Sequence, residues 1–275
     1  MAKRLTGDDL IQHLIVEPGS RVHLADESAG RTFGWEKNDA EEALKENRKR
    51  LHELQYKLYA DARFAVLVVL QAVDAGGKDG AVRDVITAFN PQGCTVTSFK
   101  APSAEELKHD FLWRVHNHVP PRGEVGVFNR SHYEDVLVVR VDNLVPPDVW
   151  KPRYVQINDF ERILSENNVR VVKFFLQISK DEQRARLADR AKDPTEQWKF
   201  SLEDLDKRKQ WGDYQKAFEA VLNRCSTEWA PWYRIPADRK WFRNLAISKV
   251  LVQELEKLSL RFPKPKFDPA KVKVR

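Results

Sequence analysis

Sulfur is scarce in this sequence: two cysteines and one methionine stand among 275 residues. Cys94 and Cys225 lie far apart and without ligand spacing. That excludes a disulfide framework and a cysteine-built metal module, and it points to a reducing, cytoplasmic setting. No apolar run approaches the roughly 20 residues that a membrane span requires. The start, residues 1–9, lacks the apolar stretch of a secretory leader. Internal repeats, low-complexity tracts, a tail of like charge and an interdomain linker are also missing. The expectation is one domain over residues 1–275, with an irregular N-terminal extension over about 1–35.

What the chain has is charge. Charged residues make up 32% and hydrophobic ones 42%, a composition for a folded core. The net charge is +6 and the isoelectric point about 9.2, which favours an anionic partner. On charge alone that partner could be nucleic acid, an acidic membrane or another polyanion. The eight tryptophans fall mostly in helical or apolar patterns and read as core rather than as base-stacking surfaces.

Periodicity alternates between strand and helix. A Val-rich apolar run at 64–70 predicts a strand buried on both faces. Further strands are expected at 94–99, 124–128, 169–178 and 233–235. Helices are expected at 39–61, 81–89, 103–118, 180–192, 202–225 and 239–260. Such alternation predicts an α/β fold with a parallel central sheet covered by helices on both sides.

The strand at 64–70 runs into DAGGKDG (74–80) and then a helix. Backbone N–H groups at a strand–loop–helix junction surround phosphate, aided by the helix dipole. Gly76, Gly77 and Gly80 permit the tight turn and close approach, and Lys78 supplies a point charge. The motif departs from G-x-x-x-x-G-K-[ST] at two places: Ala72 replaces the first glycine and Asp79 the hydroxyl residue. A carboxylate at Asp79, with Asp74 in the same loop, suits a hard cation such as Mg²⁺ bridging phosphates. The plainer alternative is a glycine turn with an incidental lysine.

A second strand ends in polar residues, VGVFNRSHYED (125–135). Ligands of open α/β sheets bind at the carboxyl ends of strands, so Asn129 and Arg130 are expected beside Asp74 and Lys78. Arg130 is a candidate clamp on a transferring phosphoryl group, and Glu134 and Asp135 are candidate acids for positioning a nucleophile or metal-bound water. The alternative is a surface turn with a local Arg–Glu pair. His132 is placed close to this site. His109, His116 and His118 read as packing or surface residues. Farther on, the capping box at 179–182 opens a helix whose Arg186 and Arg190 share a face. They either clasp an anion or are neutralised by Asp181, Glu182 and Asp189.

From about Arg31 to Pro269 the chain resembles the polyphosphate kinase 2 family. The resemblance rests on DAGGKDG (74–80), FNP (89–91), FKAPS (99–103), FLWR (111–114), GVFNRSHYED (126–135), WKF (198–200) and PADRKW (236–241). It implies a three-layer, thymidylate-kinase-like P-loop fold with a helical lid at about 179–212. It implies reversible phosphoryl transfer between inorganic polyphosphate and AMP, ADP or other nucleotides, ATP and guanine nucleotides among them, with Mg²⁺ or Mn²⁺. Asp74, Lys78 and Asp79 match the family's first motif, with Asp74 and Asp79 as metal ligands. Asn129 and Arg130 match its second. Glu134, with Asn at 129, is similar to the class III-like subclass acting on mono- and diphosphates. Arg83, Arg186, Arg190 and Arg208 become candidates for the polyphosphate track, and a dimer or tetramer is implied. No nucleic acid or membrane partner is expected on this reading. The rivals are an ATP-dependent small-molecule kinase of the same fold and, on charge alone, a nucleic-acid-binding protein, which leaves the loop carboxylates unexplained.

Overall fold

The computed structural model describes residues 4–272, so residues 1–3 and 273–275 of the expected domain and tails lie outside it. Strand β2 (Ala65–Gln71) is buried along its whole length and forms the middle of a six-stranded sheet. The other strands are β1 (Ile15–Val16), β3 (Cys94–Ser98), β4 (Val125–Asn129), β5 (Val169–Gln177) and β6 (Trp232–Pro236). Their order across the sheet is β1-β6-β5-β2-β4-β3, and every pairing is parallel except the edge pair β1–β6.

The expected parallel strands are present within a residue or two of their predicted limits. Two segments read otherwise in the sequence. Residues 4–35 are not wholly irregular: helix α1 (Gly7–Leu14) buries Leu10, Ile11 and Leu14, and β1 closes the sheet edge. Helix α7 (Arg153–Glu166) went unforeseen, although Tyr154, Ile157, Phe160 and Leu164 recur at helical spacing and are its buried face.

Two predicted helices were too long. The 103–118 stretch is helical only in one turn, α4 (Trp113–His116), with a 3₁₀ turn at Glu106–Lys108. Ser103 and Glu106 bond each other's backbone N–H, and Asp110 accepts from Leu112 N at 2.9 Å. These local side-chain bonds compete with a continuous helix. The 202–225 stretch breaks at Gln210 into α9 (Leu202–Lys209) and α10 (Trp211–Cys225).

Helices sandwich the sheet. On one face lie α2 (Lys37–Asp61), α3 (Lys78–Asp84) and α11 (Lys240–Lys257). On the other lie α5 (Val138–Val141), α7 and α10. The core between the layers is aliphatic and aromatic, including Val66, Val68, Leu70, Phe128, Phe174, Phe242 and Leu251. Burial of this apolar area is the dominant favourable term. The chain leaves β2 toward β3 at one edge and leaves β4 across β2 to β5. The carboxyl ends of β2 and β4 therefore flank a switch point, where open α/β sheets hold ligands. Leu70 pairs Asn129 in register, which sets the two polar motifs side by side.

Candidate active site

Residues 72–77 turn from β2 into α3. Gly77 has φ +101° and Ala75 φ +59°. A Cβ on Gly76 would collide with Ala72 Cβ, so the alanine that replaces the first motif glycine packs directly against this one. The Gly76 N–H is used internally, bonding Val73 O at 3.0 Å. The N–H groups of Gly77, Lys78, Asp79 and Gly80 have no hydrogen-bond acceptor among the described residues. These are the orphan donors of a helix start, gathered into a concave loop.

Lys78 is almost covered, and its ammonium folds back on the loop, donating to Ala72 O at 3.0 Å and Val73 O at 3.4 Å. Burial pulls its pKa down to about 8, and Arg130 adds to that, against Asp74, Glu134 and Asp79. A buried ammonium with weak acceptors is primed for an anion.

The second motif meets the loop as the sequence suggests. Arg130 Nη2 donates to Asp74 Oδ1 at 2.8 Å, and Asn129 Nδ2 donates to Asp79 Oδ1 at 2.8 Å. Burial works against the Arg130 charge, but Glu134 and Asp74 outweigh it and its pKa is raised. Arg130 sits at φ +64°, an uncommon conformation for a residue with a side chain. Glu134 also reaches the site, where Gln71, with its amide nitrogen turned that way, donates to Glu134 Oε1 at 3.0 Å.

Asp135 does not join them. Its side chain turns to α7, where Arg153 Nη1 donates to its Oδ1 at 2.9 Å. Burial raises its pKa to about 6, opposed by Arg153 and Arg114. Residues 132–136 form a 3₁₀ turn that sends Glu134 and Asp135 in different directions. His132 is likewise drawn inward: it is fully buried and faces Glu161.

The arginines separate into different tasks. Arg83 lies open to solvent and pairs its neighbour Asp84 at 2.7 Å. Arg190 faces Asp204 at 3.7 Å, and Arg208 donates to Lys180 O and Gln183 Oε1. Arg186, on α8 (Lys180–Lys192), is buried and occupied: it donates to Glu182 at 2.8 Å, Ala75 O at 3.1 Å and Ala237 O at 2.5 Å. It straps the loop to α8 and to the PADRKW turn, whose Asp238 accepts from Ser179 N at 2.8 Å. An arginine whose nitrogens are already bonded to fixed carbonyls is a strut.

Sequence reasoning missed Arg243. It is fully buried on α11, beneath Gly77 and Gly80, and a Cβ on Gly80 would meet its Nη2 at 2.8 Å. Burial brings its pKa down to about 10, with Arg186 contributing. No local signal marks it, because only the α11–α3 packing brings it there. The apolar wall was missed as well. A cleft is lined on its polar part by Asp74, Arg130, Glu134 and Lys207 and on its apolar part by Leu137, Val138, Trp211, Tyr214 and Phe218. Trp211, Tyr214 and Phe218 recur at helical spacing on α10, a stripe that in sequence reads as core.

Asp74 and Asp79 offer hard oxygen ligands, and the described residues contain no cluster of three or more His, Cys, Asp or Glu arranged for a metal. Two carboxylates suit a cation that completes its shell with water and phosphate oxygens, as Mg²⁺ does. Among the described residues no helix is long and apolar enough to cross a membrane.

A phosphate-cradling loop after a buried central strand, a lysine at the helix start and an arginine from the neighbouring strand end define a P-loop phosphotransferase. The family model "Polyphosphate kinase 2 (PPK2)" matches residues 34–263, and the chain belongs to this family. It is 50% identical over 259 residues to an AMP/ADP-polyphosphate phosphotransferase of Meiothermus ruber, covering 94% of this chain and 97% of that one. It is 47% identical to an ADP-polyphosphate phosphotransferase of Rhodopseudomonas palustris, over 84% of each chain. The crystal structure of polyphosphate kinase 2 from Arthrobacter aurescens TC1 superimposes with a TM-score of 0.90 at 42% identity, covering 98% of this chain and 95% of that one.

Proposed function

We propose that this enzyme moves phosphoryl groups reversibly between inorganic polyphosphate and a nucleoside mono- or diphosphate, AMP and ADP first. The observation that carries the reading is the loop itself: four unpaired amides and Lys78 follow Asp74, whose pair with Arg130 borders a cleft that also has an aromatic lining. The charged lining suits phosphates and the aromatic lining suits a base. The names of the Meiothermus ruber and Rhodopseudomonas palustris relatives support polyphosphate as the second substrate.

Phosphoryl transfer needs positioning and charge stabilisation more than covalent help. The loop amides and Lys78 orient the terminal phosphate of the acceptor. Arg130 offsets charge on the transferred group. Asp74, fixed by Arg130, orients the attacking phosphate oxygen. That oxygen is already ionised, so no strong base is required. Asp135, held by Arg153, serves the turn rather than the reaction. Asp74 and Asp79 would hold Mg²⁺, which would supply Lewis-acid neutralisation of phosphate charge.

The expected lid narrows on this reading. Because Arg186 fastens α8 to the loop, the moving cover is residues 193–210, where Trp198 is 78% exposed and α9 buries nothing. Closure brings Lys207 and Arg208 over the phosphates, toward Arg190 on the fixed α8. Assembly into a homo-oligomer belongs to the same proposal, supported by an exposed aromatic pair, Tyr56 on Phe262.

The test is to incubate the protein with Mg²⁺, long-chain polyphosphate and AMP or ADP and to follow ADP and ATP by chromatography. ADP and then ATP are expected from AMP, and chelation of the metal by EDTA abolishes both. Absence of products with polyphosphate, together with turnover of a small-molecule acceptor by ATP, would select the ordinary kinase.

A further inference from the structure

Behind the cleft lies a group of charges that the reaction does not touch. Lys173 on β5 and Glu161 on α7 are both fully buried, with Lys173 Nζ 2.5 Å from Glu161 Oε2. Tyr133, in the turn after β4, is fully buried with them. Its hydroxyl donates to Glu161 Oε1 at 2.8 Å and accepts from Lys173 Nζ at 2.9 Å. Lys173 also donates to Cys225 O at 2.6 Å, and His132 Nε2 faces Glu161 Oε1 at 3.2 Å. Every ammonium proton therefore has an acceptor.

A buried ion pair rarely gains stability over a well-packed apolar pair, because both charges lose their hydration. What such a pair does supply is position: it accepts only one arrangement of its neighbours. Here the neighbour is the turn at 130–135. Its backbone starts at φ +64° on Arg130, a conformation that persists only when the surroundings impose it. The residues of the turn divide sharply. Ser131, His132 and Tyr133 are buried and bonded, Ser131 to Gln71 and the other two to Glu161. Arg130 and Glu134, on either side of them, border the cleft.

We infer that the Tyr133–Glu161–Lys173 triad is the positioning device of the reaction, fixing the turn so that Arg130 and Glu134 face the transferred phosphoryl group. The triad ties together the turn, α7, β5 and the end of α10, so the orientation of Arg130 is set from the far side of the sheet's carboxyl edge. This inference rests on the proposed role of Arg130 in the cleft.

Tyr133→Phe removes one hydroxyl and leaves Lys173 and Glu161 paired. Its kcat should fall on the order of tenfold or more, with KM for AMP and for polyphosphate within about twofold and a melting temperature within a few degrees of the parent. In an Arg130→Lys background the same change should cost almost nothing further, because residues acting as one unit are not additive. Should Tyr133→Phe fold poorly, the neutral pair Lys173→Met with Glu161→Gln is read by the same criteria. An unchanged kcat overturns the inference, as does an equal fold-loss in both backgrounds or a loss that only tracks melting. Near-parental turnover of Arg130→Lys alone would instead remove the reading of the cleft, and this inference with it.

Discussion

Arg130 Nη2 lies 2.8 Å from Asp74 Oδ1, joining the turn after β4 to the phosphate loop after β2. The pair fixes each side chain against the other through a charge-assisted hydrogen bond. Arg130→Ala is expected to lower turnover by roughly a thousandfold, the scale of losing an arginine that offsets charge on a transferred phosphoryl group. Asp74→Ala should fall similarly, and the double variant should be far less than multiplicative. Steady-state kinetics with polyphosphate and AMP check all three.

Lys78 gives a prediction in pH. Its pKa is drawn down to about 8 by burial, so the free enzyme loses this charge as pH rises through that value. The profile of kcat/KM should therefore fall above about pH 8. A bound phosphate restores the proton, so the fall in kcat should come at higher pH. Stability moves the other way. Between about 8 and the ordinary lysine value of 10.5 the unfolded chain binds the proton that the folded chain has lost, so wild type gains stability relative to Lys78→Met as pH rises. Lys78→Met itself should keep a cooperative melt while losing about a hundredfold or more in turnover.

Gly77 combines φ +101° with a guanidinium against its Cα, since a Cβ there would collide with Arg243 Nη1. Gly77→Ala should destabilise the fold by about 1–3 kcal/mol through backbone strain, with more from displacement of Arg243. Chemical denaturation measures it. A neutral result would mean that the loop does not need this conformation.

Trp211 and Tyr214 form the half-buried part of the apolar wall. Stacking on an aromatic side chain is worth about 1–3 kcal/mol per base. Trp211→Ala is accordingly expected to raise KM for AMP by roughly tenfold and to leave KM for polyphosphate unchanged. An equal rise in both constants would show that this wall is not the base site.

Glu134 borders the cleft beside Arg130, where acceptor phosphates of different length would end. Glu134→Asn is expected to shift the ratio of turnover with AMP to that with ADP. An unchanged ratio would refute the assignment to the subclass that uses both acceptors.

The sequence made the sheet and the loop legible because both are local. A short Val-rich run bounded by turn residues favours a strand buried on both faces, and the glycines of DAGGKDG between that strand and a helix allow the tight turn of a phosphate loop. The pairing of Asn129 and Arg130 with that loop followed from the rule that strand ends converge. Helices α1 and α7 carried readable spacing in Leu10, Ile11, Leu14 and in Tyr154, Ile157, Phe160. They went unread because the former lies in a polar stretch and the latter directly follows the prolines at 146, 147 and 152.

Tertiary structure alone decided the division of labour among like residues. Glu134 and Asp135 are adjacent in the chain, yet one borders the cleft and the other pairs Arg153. Arg83 and Arg186 were alike as candidates, but packing leaves the first in solvent and makes the second a strap, while Arg243, which no motif marks, is buried under the loop. A motif fixes which chemical groups are available and the backbone that carries them. Direction, burial and pKa depend on contacts between segments far apart in the chain, which no local pattern encodes.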